Sequence, residues 1–169
     1  MKKSAKSTDP DAIKVSFADE PSSKEIENWV ALLAEGAAVD TESAAAELPL
    51  AASVALARDG PDLVGLGAIK RKRPQYAASL TRKSGFQIGH DWHELGYMVV
   101  RKSHQGQGLS LLIARKLLSS FSRSTLFATT SHPNMKRTLA RVGFVEQGRE
   151  WPGQSGGILS LWIRPRDLT

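Results

Sequence analysis

The residues whose types and spacing best suit the holding of an anion are Gln105-Gly106-Gln107-Gly108-Leu109-Ser110, which lie between an apolar run and a long helix-compatible one. A loop that feeds a helix N-terminus offers unpaired backbone N–H groups and the positive end of the helix dipole. Glycines at 106 and 108 let that backbone approach a phosphate closely. A bare Gly-x-Gly also marks an ordinary turn, so its surroundings must decide between the two. Other phosphate loops are excluded: there is no Gly-Lys-Ser/Thr, and Leu111 stands where a dinucleotide fingerprint needs its third glycine.

A second group is His90-Asp91-Trp92-His93-Glu94. Two histidines outside a strand lack a third group at metal spacing, so a solvated loop or pocket rim is expected here and no metal. Glu94 begins the next apolar run. It can serve as a general base or pair with one of the many nearby cations, and both readings stand. Gly153-Gln154-Ser155-Gly156-Gly157 matches a hydrolase elbow in type, but it precedes a strand and no histidine follows it, so it reads as a hairpin turn. The chain has no cysteine, which removes a thiolate nucleophile and a disulfide framework.

The elements that must position these groups follow from patterning. Ile13 to Ala18 alternates as a strand, and Ser22, three residues before Glu25, opens a helix that should end near Gly36. Ala51 to Arg58 and Leu63 to Lys70 form an expected hairpin around Asp59-Gly60-Pro61-Asp62. The 23 residues from Arg71 to His93 hold a short helix begun by Pro74 and stopped by Gly85. Glu94 to Arg101 is a strand and Gly106 to Phe121 a mostly apolar helix. Then come a strand at Thr125 to Thr130, a helix to Arg141, and strands at Phe144 to Gln147 and Gly157 to Arg164. Trp29 and Trp162 read as core, whereas Trp92 and Trp151 read as loop residues able to line a pocket. The order indicates one α/β domain with a mixed sheet over residues 12–169, preceded by a flexible basic tail over 1–11 that lacks the apolar core of a secretory signal.

With the loop and its elements in place, the sequence resembles the GNAT superfamily of acyl-CoA-dependent N-acyltransferases, whose cofactor loop reads Gln/Arg-x-x-Gly-x-Gly/Ala after a strand. Here Ser110 replaces the usual last small apolar residue. A second block agrees: Asn134 lies nine residues before Gly143-Phe144. The resemblance implies a mostly antiparallel central sheet flanked by helices and splayed between the Glu94–Arg101 and Thr125–Thr130 strands, with acetyl-CoA entering the gap as co-substrate. It implies that Met98, Val99 and Val100 pair with the pantetheine arm, that Gln105 to Ser110 cradle the pyrophosphate, and that Asn134 approaches the arm from the other side. Acetyl transfer to an amine would use Glu94 as general base and the Val99 N–H as oxyanion donor. Where many members carry a tyrosine general acid this chain has Leu139. Tyr97 is the nearest substitute, but alternation sets it opposite Glu94, so no general acid is assigned.

Charge is uneven. Residues 12–69 carry three basic and ten acidic side chains, a balance of −7, while residues 70–169 carry seventeen and five, a balance of +12. The second half suits a polyanion, and coenzyme A is one. The acceptor expected is a small-molecule or peptide amine, met by Arg73, Tyr76, His90 and Trp92 of the long connection, side chains that suit an anionic or aromatic part near the amine. The rival readings are a nucleic-acid-directed protein using Lys70 to Arg73, Arg82 and Lys83, and a CoA-binding regulatory domain without turnover. No apolar stretch is long enough to span a bilayer, and a cytoplasmic location is expected. A dimer is compatible with this composition.

Overall fold

The computed structural model describes residues 12–36 and 40–168, and the tail expected over 1–11 lies outside them. Strand β1 (Ile13–Phe17) leads to helix α1 (Ser23–Glu35) through the expected cap. The Ser22 hydroxyl accepts the Glu25 N–H at 3.2 Å, and the Glu25 carboxylate accepts the Ser22 N–H at 2.9 Å, so each satisfies a donor that the first turn orphans. Helix α2 (Thr41–Glu47) carries little hydrophobic signal and buries only Ala44. It starts because the Asp40 carboxylate accepts the Glu42 and Ser43 N–H groups.

The hairpin follows as strands β2 (Ser53–Asp59) and β3 (Asp62–Lys70), and helix α3 (Pro74–Ser84) fills the long connection, ending at left-handed Gly85. Strand β4 (His93–Val100) precedes helix α4 (Leu109–Leu118), which starts later than expected because Gly106 and Gly108, at φ 81 and 77, hold the loop outside the helix, and which ends at Leu118, short of the expected Phe121. Strand β5 (Leu126–Thr130) and helix α5 (Pro133–Arg141) come next. Strand β6 (Val145–Pro152) pairs with β7 (Ile158–Arg164) and runs five residues beyond the expected Gln147. A register shift between Gln147 and Trp151, with Gly148 at φ 72, breaks the alternation that would have revealed the second half of β6. Trp151 is therefore a strand residue, 6% exposed, and not a loop residue. The Gly153–Gly157 segment is the turn of this hairpin, closed by the Gly153 N–H on the Gly157 carbonyl at 2.9 Å.

The seven strands lie in the order β1-β2-β3-β4-β5-β7-β6, antiparallel throughout except for β4 beside β5. Helices α4 and α5 cover one face through Ile113, Leu117 and Leu139. On the opposite face α1 and α2 cover β2 to β4 through Trp29, Leu32 and Ala44, and α3 covers β5, β7 and β6 through Ala77 and Leu80. The long connection expected to meet the acceptor therefore also closes the core of the second half-sheet. Burial of such side chains contributes about 25 cal/mol per Å² of apolar surface, which fixes α3 in place. Among the described residues no helix is long and apolar enough to cross a membrane.

Candidate active site

Strands β4 and β5 pair only at His93 with Leu126 and Glu94 with Phe127, and beyond that point the ladder ends. The reason lies in β4. Ala68 faces Gly96 and Leu66 faces Val99, so Tyr97 and Met98 together oppose Gly67 in a bulge. Tyr97 sits at φ 52, a conformation that costs an L side chain roughly 1–2 kcal/mol. Bulges bend the bulged strand, and this one turns β4 away from β5.

The bulge also reverses the parity counted along the sequence. Met98 packs on Gly67 and Ile113 on the α4 face, whereas Tyr97 joins the cluster on the α1 and α2 face. Tyr97 therefore shares the face of Glu94, and the expectation that it lies opposite Glu94 is corrected. Its hydroxyl donates to the Glu47 carboxylate at 2.5 Å, and Lys70 lies 4.5 Å from its ring centroid.

Beyond the bulge the alternation decides which backbone groups are free. Arg101 donates its N–H to the Val64 carbonyl at 2.7 Å, so Val99, two residues earlier, faces its register partner Leu66 in β3. The oxyanion donor expected at Val99 is thus turned into the sheet. Val100 faces the open edge, where its carbonyl accepts the Gln105 side-chain amide at 3.0 Å. That bond ties the glycine loop to the edge of the split.

Helix α4 begins at this loop with Gly108 as its N-cap and no side-chain cap. A Cβ added to Gly106 or Gly108 would meet nothing within 4 Å, so open space lies over both. The site is thus an uncapped helix N-terminus facing an unobstructed approach. Behind the loop, His104 is held by Asp59 at 2.9 Å and by Ser103 at 2.7 Å, which anchors it to the β2–β3 hairpin. Asn134 is exposed in the first turn of α5, across the split from β4, with its side-chain oxygen accepting from Arg137 at 3.0 Å.

Glu94 is 5% exposed on the face where α2 and α3 meet. Lys70, its register partner, approaches it at 3.3 Å, and the Tyr76 hydroxyl donates to it at 3.3 Å. Burial pushes the Glu94 carboxyl above its usual range, while Lys70 first and then Tyr76 pull it back. Burial, followed by the Glu94 charge, raises the Tyr76 hydroxyl, and burial followed by the Glu47 bond raises Tyr97. Arg73 pairs with Glu47 at 2.8 Å and lies 5.0 Å from the Tyr76 ring.

Of the residues expected to meet an acceptor, Arg73 and Tyr76 therefore reach the Glu94 cluster. His90 is exposed, and Trp92 packs on Gly89 and Phe86 within the α3–β4 connection. Glu47, Lys70 and Tyr97 complete the cluster: Glu47 was not singled out in the sequence, Lys70 was read only as the end of a strand and the start of a basic run, and Tyr97 only as a residue set apart from Glu94. Among the described residues no three His, Asp or Glu side chains converge as a metal site would require. Leu139, at the tyrosine position of the resemblance, is fully buried between α5 and α4 and offers no proton.

No protein-family model matches the chain, and no curated protein matches it by sequence. Solved structures match it by fold. The ribosomal-protein-S18-alanine N-acetyltransferase of Escherichia coli gives a TM-score of 0.67 at 12% identity, over 93% of this chain and 96% of that one. A Salmonella typhimurium protein assigned as an acetyltransferase, with its cofactor acetyl-CoA, gives 0.64 at 18% identity over 93% and 95%. A Pyrococcus horikoshii protein assigned likewise gives 0.58 at 18% identity over 82% of this chain, which spans only 45% of that protein. The fold is thus shared with acetyltransferases, one of them holding acetyl-CoA in its structure.

Proposed function

We propose that the chain is a GNAT-superfamily enzyme of the cytoplasm that transfers the acetyl group of acetyl-CoA to an amine of a small molecule or a protein. The observation that carries this reading is the opening of β4 from β5 beside the uncapped N-terminus of α4. In this reading the pyrophosphate takes the N–H groups of Gln105 to Ser110, with Gly106, Gln107, Gly108 and Leu109 between them. The pantetheine arm pairs with the open edge at Met98 and Val100, beside Val99, and Asn134 meets it from α5. The thioester then lies near the bulge, above Glu94.

Attack needs a neutral amine and a stabilised oxyanion. Glu94 takes the amine proton, and outward-facing N–H groups of the free β4 edge polarise the thioester. A thiolate of ordinary pKa near 8.5 leaves without a dedicated acid. Thiol release from acetyl-CoA in the presence of a panel of amines tests the whole proposal, and no release with any amine returns it to the second reading. That reading, a CoA-binding regulatory domain, is favoured by one observation, the burial of Leu139 at the position where the resemblance implies a tyrosine proton donor.

Two results are expected at the acceptor side. Replacing Arg73 and Tyr76 together by alanine raises the acceptor's KM and leaves acetyl-CoA affinity intact, because Arg73 is the N-cap of α3, Tyr76 lies in its first turn, and neither touches the glycine loop. An unaltered KM in a folded double variant assigns α3 to structure alone. Tyr76→Phe removes a hydrogen bond that favours the Glu94 carboxylate, so the carboxyl's pKa rises further. The ascending limb of the rate–pH profile should then move to higher pH, and a profile that stays put or moves to lower pH removes Glu94 as the titrating base.

A further inference from the structure

Once folded, the cations of the basic second half fall into distinct groups. The run Lys70 to Arg73, expected to track nucleic acid in one reading, is engaged within the protein. Lys70 meets Glu94 and Glu47, Arg71 donates to the Leu50 carbonyl at 3.0 Å, Lys72 donates to the Gly89 carbonyl at 2.5 Å, and Arg73 pairs with Glu47. A second group, including Arg101, Lys102 and Lys136, flanks the glycine loop and the start of α5. A third group gathers where α4 and α5 end.

There Arg115, Arg141 and Arg164 line an open depression of about 380 Å³ whose wall includes Ser119 and Ser122. A second depression, of about 280 Å³, is lined by Arg123 and Arg166. The two adjoin, because the Asp167 N–H donates to the Ser122 carbonyl at 2.8 Å. The ten residues of α4, about 15 Å of helix, separate this end from the glycine loop, so a cofactor held there leaves these arginines untouched.

Helix C-termini favour cations, yet only Arg164 of this group reaches a terminal carbonyl, that of the α5 C-cap Val142. Among the described residues the side chains of Arg115, Arg123, Arg141 and Arg166 make no hydrogen bond or ion pair. Arg164 donates its Nε to the Val142 carbonyl at 3.1 Å, comes no nearer than 4.0 Å to Asp167, and keeps a buried Nη1 without a partner. Five guanidinium groups around one lining carboxylate repel one another, and a bound polyanion would offset that repulsion.

We propose that this end of the protein binds consecutive phosphate groups of a chain polyanion, as a site separate from the cofactor loop. Guanidinium forks meet phosphate oxygens in pairs, and the two adjoining depressions suit successive phosphates. A nucleic-acid strand and inorganic polyphosphate share this chemistry.

The test uses the full chain carrying Gly108→Asp, so that the glycine loop does not compete for phosphate. Binding of a short single-stranded RNA is followed by anisotropy at several salt concentrations, and binding of tripolyphosphate by calorimetry. The expected result is RNA binding that Arg115→Gln with Arg141→Gln weakens about tenfold or more. The slope of log K against log salt should fall by about 1.4, since each lost single-strand contact removes about 0.7. Tripolyphosphate binding with the same loss, and none of RNA, assigns the site to short polyphosphates. Both arginines are exposed, so the fold should survive their replacement. Arg123→Gln with Arg166→Gln provides an independent pair on the second depression. Failure of both probes to bind, or undiminished binding in both folded pairs, overturns the proposal.

Discussion

Gly108→Asp is expected to leave the protein folded and to weaken coenzyme A by about a hundredfold or more, since juxtaposed like charges cost several kcal/mol and each 1.4 kcal/mol is tenfold. Gly108 holds φ 77 at the N-cap of α4, and a Cβ there meets nothing within 4 Å. Aspartate tolerates the left-handed region better than most residues, so its backbone strain is modest. The new carboxylate can also accept from the first-turn N–H groups that no side chain now caps. It thereby supplies in the protein the negative charge that the pyrophosphate would bring, and both fills and repels the site. Gly108→Ala separates the two causes, because it adds the Cβ and the strain without the charge and should cost much less. Calorimetry reads both variants. Coenzyme A affinity that is unchanged in Gly108→Asp places the cofactor elsewhere and removes the basis of the proposed function.

The glycine loop was legible in the sequence because every signal it carries is local. Paired glycines, a preceding apolar strand and a following apolar helix are adjacent in the chain, and the structure keeps them adjacent. The α1 capping box and the β2–β3 hairpin are legible for the same reason, since their partners are three residues apart or joined by a short turn. Helix α2 escaped notice because a seven-residue helix burying one alanine has almost no periodicity to read. The bulge escaped for a deeper reason. Nothing in Gly96-Tyr97-Met98 requires a tyrosine at positive φ, and only the pairing of β4 with β3 imposes it. One inserted residue reverses parity, so the local count that set Tyr97 apart from Glu94 had to fail. The Glu47, Lys70 and Tyr97 portion of the cluster is likewise tertiary, assembled from α2, β3 and β4. What the sequence concealed is therefore how the acceptor-side residues come together, through long-range contacts, while most of the proposed cofactor side, Asn134 apart, was written in the segment from Met98 to Ser110.

Glu94→Gln is expected to keep coenzyme A affinity and to lower the acetyl-transfer rate by about a hundredfold near neutral pH, the usual cost of losing a general base. The competing account treats Glu94 as the partner of Lys70 and nothing more, and the substitution distinguishes them because glutamine preserves shape. Its amide oxygen can still accept from Lys70, which lies 3.3 Å from Oε2, while its NH2 in the place of Oε1 donates to the Tyr76 hydroxyl oxygen, now 3.3 Å away, and Lys70 retains Glu47 at 3.9 Å. What glutamine lacks is basicity. Burial raises the Glu94 pKa above the ordinary carboxylate value, so the ionised form is a stronger base than an exposed glutamate. The wild-type rate should therefore climb as pH passes upward through that raised pKa. At high pH the acceptor amine is neutral without assistance and the base has little left to do, so the gap between wild type and variant should narrow. A purely structural Glu94 predicts instead a loss that is small or the same at every pH. Full activity of the folded variant at neutral pH would thus assign the buried carboxylate to the Lys70 pair and leave the amine to be deprotonated by solvent.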